Sequence, residues 1–293
     1  MKRFLIIVIC LLLILLACVA MLFISHQCLY PSATTGGKHC LTVMTYNTQA
    51  MNQARKQPKN AVLHYLEQTD ADVLCLQEVL VLKDHTHLTL NDLKKAFARY
   101  PYSYIDFKVY NQRMQFGNVV FSKYPLFNKH TIRYDSRTNI TSCCDMKVGN
   151  DTIRLFINHL ESNKINRQDI DSIVQNRSLQ RTRLWDKLQT AGRLRQAQAR
   201  VVSDSIQASP HSVIVVGDFN DTPLSYTYWT ISRGLKDCFL RTSNGRIGST
   251  WHQSRIGLRI DYILCSQSLY PTAFTIHPTK ASDHFPCQAT ICW

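Results

Sequence analysis

Val213-Ile214-Val215-Val216-Gly217-Asp218-Phe219-Asn220 begins as an unbroken apolar run and ends in a carboxylate and a carboxamide. The run reads as a buried strand, which puts Asp218 and Asn220 just past its end, where catalytic groups of α/β folds emerge. Near the C-terminus, Ser282-Asp283-His284 supplies a second set of groups able to grip a divalent metal and a phosphate.

Four more segments follow the same design, an apolar or β-branched run that delivers an acid, amide or imidazole. Leu41 to Tyr46 leads to Asn47, Ala71 to Gln77 leads to Glu78, Ile153 to Asn158 leads to His159, and Arg259 to Leu264 carries Asp261. Taken singly, each has an ordinary structural explanation: a turn-capping Asn or Asp, a surface Glu, a satisfied core His. Taken together in chain order, Asn47, Gln77-Glu78, Asn158-His159-Leu160, Gly217-Asp218-Phe219-Asn220, Asp261 and Ser282-Asp283-His284 resemble the endonuclease/exonuclease/phosphatase superfamily. That superfamily includes deoxyribonuclease I, exonuclease III, neutral sphingomyelinases and inositol polyphosphate 5-phosphatases. The resemblance covers about residues 41 to 293. Ser162-Asn163-Lys164 and the run Asp221-Thr222-Pro223-Leu224-Ser225-Tyr226-Thr227-Tyr228 are further similar to a membrane-anchored branch common in Bacteroidetes-type bacteria.

The chemistry of a phosphodiester explains why such residues gather. The anion repels hydroxide, so a site must neutralise charge, orient a water and protonate the leaving oxygen. Magnesium takes hard oxygen ligands and keeps several waters, so one or two carboxylates suffice. Glu78 is the first choice as ligand, with Asn47 and Asp283 assisting; the expected cofactor is Mg2+, with Mn2+ as the alternative. By resemblance, Asp218 orients or deprotonates the attacking water, and Asn220 holds that water or a phosphate oxygen. His284 contacts the scissile phosphate, with Asp261 accepting its other ring proton and fixing the tautomer.

His159 stands where exonuclease III-type branches carry tyrosine; deoxyribonuclease I and the sphingomyelinases carry histidine. It is expected to protonate the leaving oxygen and to stabilise charge on the phosphate. No carboxylate supporting this His is matched, although Asp106, Gln112 and Arg113 lie in the right stretch. Gly117-Asn118 ahead of Val119-Val120-Phe121-Ser122 resembles the family's Gly-Asn strand start; Asn118 is a candidate phosphate ligand or a strand-opening turn.

The resemblance implies a four-layer α/β sandwich, two packed mixed β-sheets flanked by helices, with the site at the strand ends on one edge. Helical patterns at 58 to 69 and 91 to 99 between strands agree with α/β architecture. One domain over 41–293 is expected, with no internal repeat, and a monomeric catalytic unit.

Ahead of it, Met1-Lys2-Arg3 precedes an apolar stretch from Phe4 to Ile24, which as a helix spans roughly 30 Å. Residues 1–24 are read as an uncleaved transmembrane signal-anchor and 25–40 as a linker. Lys2 and Arg3 keep the N-terminus cytoplasmic and place the domain across the membrane, on the periplasmic side in a bacterium. A lipoprotein lipidated at Cys18 is the minor alternative; residues 19 to 24 stay apolar where a mature tether is normally polar.

The formal net charge is +14 at pH 7, densest after Glu161, where Lys164, Arg167, Arg177, Arg181, Arg183, Lys187, Arg193, Arg195 and Arg200 fall in a helical-looking insert. Such a stretch serves as a phosphate-tracking arm, as a dock for anionic lipid, or simply as a solvated amphipathic helix. Among eleven cysteines, Cys75 and Cys265 lie in apparent strands as small apolar residues. Cys287 with Cys292, or Cys28 with Cys40, are conceivable disulfides in an oxidising space, but no pairing is deducible. The absence of a CxxC pair argues against structural zinc.

Three functions remain open at this level. The first is a membrane-anchored metal-dependent phosphodiesterase acting on nucleic acid. The second is a sphingomyelinase-like or phosphatase-like hydrolase of phospholipid or phosphorylated headgroups, with Tyr100 to Tyr104 or Tyr226 to Trp229 as candidate bilayer-insertion loops. The third is a binding-only descendant of the fold, against which stands the complete set of catalytic residue types.

Overall fold

The computed structural model describes residues 39–53, 60–83, 87–164, 178–253 and 257–293. The expected anchor (1–24) and nearly all of the linker lie outside the described residues. Among those described, no helix is long and apolar enough to cross a membrane.

Among the described residues, twelve strands form two six-stranded mixed sheets. The first contains β1 (Cys40–Asn47), β2 (Val73–Leu82), β3 (Tyr102–Tyr110), β4 (Met114–Ser122), β11 (Tyr270–Ile276) and β12 (Cys287–Cys292) in the order β11-β12-β1-β2-β4-β3. The second contains β5 (Leu126–Arg133), β6 (Ile140–Val148), β7 (Asp151–His159), β8 (Ser212–Asp218), β9 (Leu235–Asp237) and β10 (Asp261–Ser266) in the order β5-β6-β7-β8-β10-β9. β1 pairs with β2 and β7 with β8 in parallel. The β7–β8 pair therefore delivers two C-terminal ends side by side, His159 beside Asp218, while the end of β1 at Asn47 lies beside Gln77 in the middle of β2.

Period-two alternation builds the layers. Val43, Cys75, Val120, Leu155, Ile157, Ile214, Val216 and Cys265 point between the sheets, which places Cys75 and Cys265 in the apolar core as expected. On the outer side of the first sheet, Met44, Tyr46, Leu74 and Leu76 pack under α2 (Ala61–Glu67) and α3 (Leu90–Ala96), which follow α1 (Gln49–Gln53). On the outer side of the second, Phe156, Val215 and Tyr262 pack against α4 (Ser178–Gln207) and α5 (Tyr226–Ile231), with α6 (Cys238–Thr242) following. The helices begin where caps allow: Thr89 and Asp92 form a reciprocal capping box on α3, and Ser225 Oγ accepts from the Tyr228 N–H on α5.

Two sequence expectations are corrected. Gly117-Asn118 lies inside β4 and not at its start, because β4 begins at Met114 and both neighbours bulge there, β2 between Leu76 and Val79 and β3 between Phe107 and Val109. A Cβ on Gly117 would collide with the Asp106 carbonyl of β3, so the close approach needs glycine. Neither aromatic segment is an insertion loop: Tyr102 and Tyr104 are strand residues, Tyr100 and Tyr228 are buried, and exposed Tyr226 lies beneath Arg200.

A disulfide joins Cys40 to Cys292, residues paired across the β1–β12 ladder. Cys287 is reduced and buried. It sits five residues from Cys292 on one extended strand, about 16 Å away and beyond disulfide reach. Closing a separation of 252 residues, the bond is expected to contribute about 3–5 kcal/mol; denaturant unfolding of Cys40→Ser, or of the reduced protein, measures it.

Candidate active site

The catalytic edge is where the C-terminal ends of β1, β7 and β8 meet the middle of β2 and the start of β10. Parity alone would send Glu78 outward with Leu74 and Leu76. The bulge prevents this: Gln77 and Glu78 together oppose Asn118, and Glu78 takes φ +53°, a left-handed conformation that a non-glycine residue adopts only under local constraint. Glu78 Oε1 then accepts from Asn47 Nδ2 (3.2 Å) and approaches His159 Nε2 (3.2 Å). Burial would raise this carboxyl, but the His159 and Asn47 contacts prevail and hold it at about 2. Glu78 is therefore an anion facing the cleft.

Gly217 permits the turn into Asp218. Its φ is +124°, and a Cβ there would collide with the Asn158 carbonyl of β7, so glycine is required twice over. Asp218 Oδ1 accepts from the Asn220 N–H (2.7 Å), and Oδ2 accepts from Asn47 Nδ2 (2.9 Å) and Asn220 Nδ2 (3.0 Å). Across the β8–β10 ladder it faces Asp261. Between the two carboxylates stands His284, with Nδ1 2.9 Å from Asp261 Oδ2 and Nε2 3.8 Å from Asp218 Oδ2.

Their electrostatics are interlocked. Burial raises the Asp218 carboxyl to about 6, the His284 imidazolium opposes the rise, and Asp261 adds to it. Burial disfavours the charged His284 ring, yet Asp261 and Asp218 outweigh it and raise the ring to about 10. A carboxyl near 6 suits a base, and a locked imidazolium suits an anion clamp. The C-terminal triplet is tied to β1 by Ser282 Oγ, which donates to the Asn47 carbonyl (2.8 Å).

His159 is 2% exposed. Its ring is pushed down by burial and up more strongly by Glu78, a net rise. Apart from this Glu78 contact, neither ring nitrogen has a hydrogen-bond partner among the described residues. Among the described residues, no second carboxylate is hydrogen-bonded to this ring. Asp106 is occupied elsewhere, its Oδ2 accepting from Ser142 Oγ (2.7 Å), Thr131 Oγ1 (2.7 Å) and Tyr104 OH (3.0 Å). Asn118 is fully buried and its Nδ2 serves Ser142 Oγ and the Ile157 carbonyl, so it does not present that amide to a phosphate here.

A cleft of about 210 Å³ opens over these groups, lined by Glu78, Asp218, Asn220, Asp283 and His284 on one side and by Trp251, Leu258 and Ile260 on another. Asn47, His159 and Asp261 support the lining residues from below. The apolar wall escaped the sequence reading because Trp251 arrives through isolated bridges to Leu258 and His284, pairings that no local pattern announces. Leu258 and Ile260, alternating about buried Arg259, were the one available signal. Asn220 Nδ2 is shared by Asp218 and the Leu160 carbonyl (3.0 Å), so a phosphate would have to displace one of these bonds.

For a metal, two groups compete. Asp218, Asp261 and His284 offer ligand atoms within 4.8 Å of one another. That trio is closed to a cation while His284 is an imidazolium, since a protonated ring has no lone pair to give. Glu78 fits a hard cation better, as an anionic carboxylate with a 27% exposed side chain, and Asp283 lines the same cleft.

The Endonuclease/Exonuclease/phosphatase family profile matches residues 44–284, and the chain belongs to that family. Solved structures with this fold include the following. Truncated Caenorhabditis elegans TDP2 has TM-score 0.60 and 20% identity, covering 88% of this chain and 99% of that one. An endonuclease/exonuclease/phosphatase from Beutenbergia cavernae has TM-score 0.65 and 16% identity, covering 87% and 72%. The human Nocturnin catalytic domain, solved with a bound sulfate anion, has TM-score 0.60 and 18% identity, covering 88% and 96%. No curated protein matches the chain in sequence.

Proposed function

We propose that the chain is a divalent-metal-dependent phosphodiesterase acting on nucleic acid, held at a membrane by residues 4–24 with its catalytic domain on the extracytoplasmic side. The observation that carries the reading is the convergence of an anionic Glu78, a carboxyl at about 6 on Asp218 and the Asp261–His284 pair on one cleft. Asp218 accepts a proton from the attacking water. His284, kept cationic by Asp261, binds a non-bridging phosphate oxygen as negative charge gathers there. His159, its protonated form favoured by Glu78, gives a proton to the leaving alkoxide as its bond to phosphorus breaks. A cation on Glu78, assisted by Asn47 and Asp283, supplies charge neutralisation at the phosphate when bound; Mg2+ fits this oxygen set.

Nucleic acid is favoured over lipid by the net charge of +14 and by Trp251, which lines the cleft with the carboxylates and is of the side-chain type on which bases stack. The Cys40–Cys292 disulfide supports an oxidising compartment.

The test is a hydrolysis panel on the purified full chain with and without Mg2+, offering supercoiled DNA, RNA, sphingomyelin, phosphoinositides and a generic phosphodiester, with Asp218→Ala and His284→Ala as controls. Headgroup release from lipid without nucleic-acid cleavage would replace the nuclease reading. Glu78→Gln is expected to weaken metal binding, read by calorimetric titration, by more than the about 10–100-fold typical of residues that only support a ligand. External protease that fails to digest residues 41–293 in intact spheroplasts would reverse the orientation.

A further inference from the structure

The basic helix α4 meets the catalytic edge through Arg195 and Gln198. Arg195 belongs to the stretch read from sequence as a phosphate-tracking arm, yet it is 4% exposed and spends its charge inward. Its Nε donates to Asp221 Oδ2 (3.1 Å), and its Nη1 donates to the Glu161 carbonyl (2.8 Å) and to Asn163 Oδ1 (2.8 Å). One turn further along α4, Gln198 Oε1 accepts from the Glu161 N–H (2.9 Å). The Glu161 carboxylate in turn accepts from Ser136 Oγ (2.7 Å) and pairs with Lys164 Nζ (2.8 Å).

The two segments joined in this way are the continuations of β7 beyond His159 and of β8 beyond Asp218. Between them they contribute Ser162, Asn163, Asp221 and Thr222 to the catalytic cleft. Ser162 and Asn163 also wall a second cavity of about 480 Å³ that lies against Thr190, Ala191 and Leu194 of α4. They are the partition between the two spaces, and Arg195 holds the partition.

We propose that Arg195 is a positioning residue that fixes the 161–164 and 221–222 lips of the cleft, and through them the part of the substrate lying beside the reacting phosphate. This rests on the phosphodiesterase reading for its kinetic consequence alone. A guanidinium is a rigid planar fork that satisfies acceptors on two loops at once, which an ammonium does not. Both lips are irregular backbone, the kind of segment that opens locally at little cost unless tied. Asp218, Asp261 and His284 are instead fixed by strand pairing and by one another. Loosening the lips therefore harms substrate placement before it harms the chemical step.

The experiment compares Arg195→Lys and Arg195→Gln with wild type in the full chain, the lysine variant retaining a buried charge in case glutamine fails to fold. Hydrogen exchange is expected to rise in segments 160–164 and 219–224 while β8 and β10 keep their protection. On a short single-stranded oligonucleotide, KM is expected to rise by about 10–100-fold, with kcat and the hydrolysis of bis(p-nitrophenyl) phosphate within about threefold of wild type. Unchanged exchange in the lips overturns the proposal, as does a fall in kcat that tracks a fall in melting temperature. Should the wild-type protein cleave no phosphodiester, the functional reading fails and the exchange measurement still decides whether Arg195 holds the lips.

Discussion

Asp218→Asn is expected to lower kcat by about 10²–10⁴-fold and to remove the acid limb of the pH–rate profile. The wild-type carboxyl lies at about 6 because it is buried and faces Asp261, with His284 as the opposing influence. A base must be ionised to act, so wild-type kcat/KM climbs as pH rises through that value. A cation on nearby Glu78 favours the carboxylate and moves the limb downward. The amide has no such titration, and its residual rate should be flat across the same interval. Circular dichroism must show an intact fold for the comparison to count. A variant that retains both wild-type rate and acid limb would remove Asp218 from the role of base.

Asp261→Asn carries the second large effect, at the opposite end of the profile. Asp261 Oδ2 lies 2.9 Å from His284 Nδ1, and its charge is the chief influence raising that ring to about 10 against burial. Without that anion, burial dominates and the ring falls below its present value. The alkaline limb of activity should move down with it, so the variant loses proportionally more activity at pH 8 than at pH 6. Stability shifts in the same sense. A histidine whose folded pKa is raised contributes stability fully below its unfolded value, and the contribution disappears as pH rises through the folded value. The wild-type protein should therefore lose stability as pH climbs from about 7 towards 10, and the variant should lose less over that range. Breaking this buried pair also lowers overall stability by about 3–5 kcal/mol, read by denaturant unfolding at pH 7.

Much of this was legible in the chain because function and strand-making share a pattern. Val213 to Val216 announces a strand, and the polar groups that interrupt the apolar run mark where it ends, so Asp218 is located by the physics that makes β8. The same holds for Asn47 and His159. Glu78 lies in the cleft that its type and order suggested, but its access to the site depends on a bulge opposite Asn118 that alternation would not suggest. Asn118 was misjudged for a related reason: Gly117 resembles a strand opener, and only the close approach of β3 shows it to be a mid-strand contact. Arg195 illustrates a different limit. Charge density along a helix says nothing about which one of its cations turns inward, since that is settled by acceptors more than thirty residues away, at Glu161 and Asn163.

β1 enters at Cys40, beside the chain's last residues, and ends at Asn47 on the catalytic edge, a length of about 23 Å. The described chain thus enters the domain on the side away from the cleft. If Phe4 to Ile24 lie in a bilayer, the residues from Ser25 to Lys38 can span at most about 50 Å, and they join the domain on the side facing away from the cleft. Attachment at that end leaves the open mouth clear of the connection and accessible to long dissolved polymers. A headgroup in the supporting leaflet would be reached only after the whole body somersaulted on its tether.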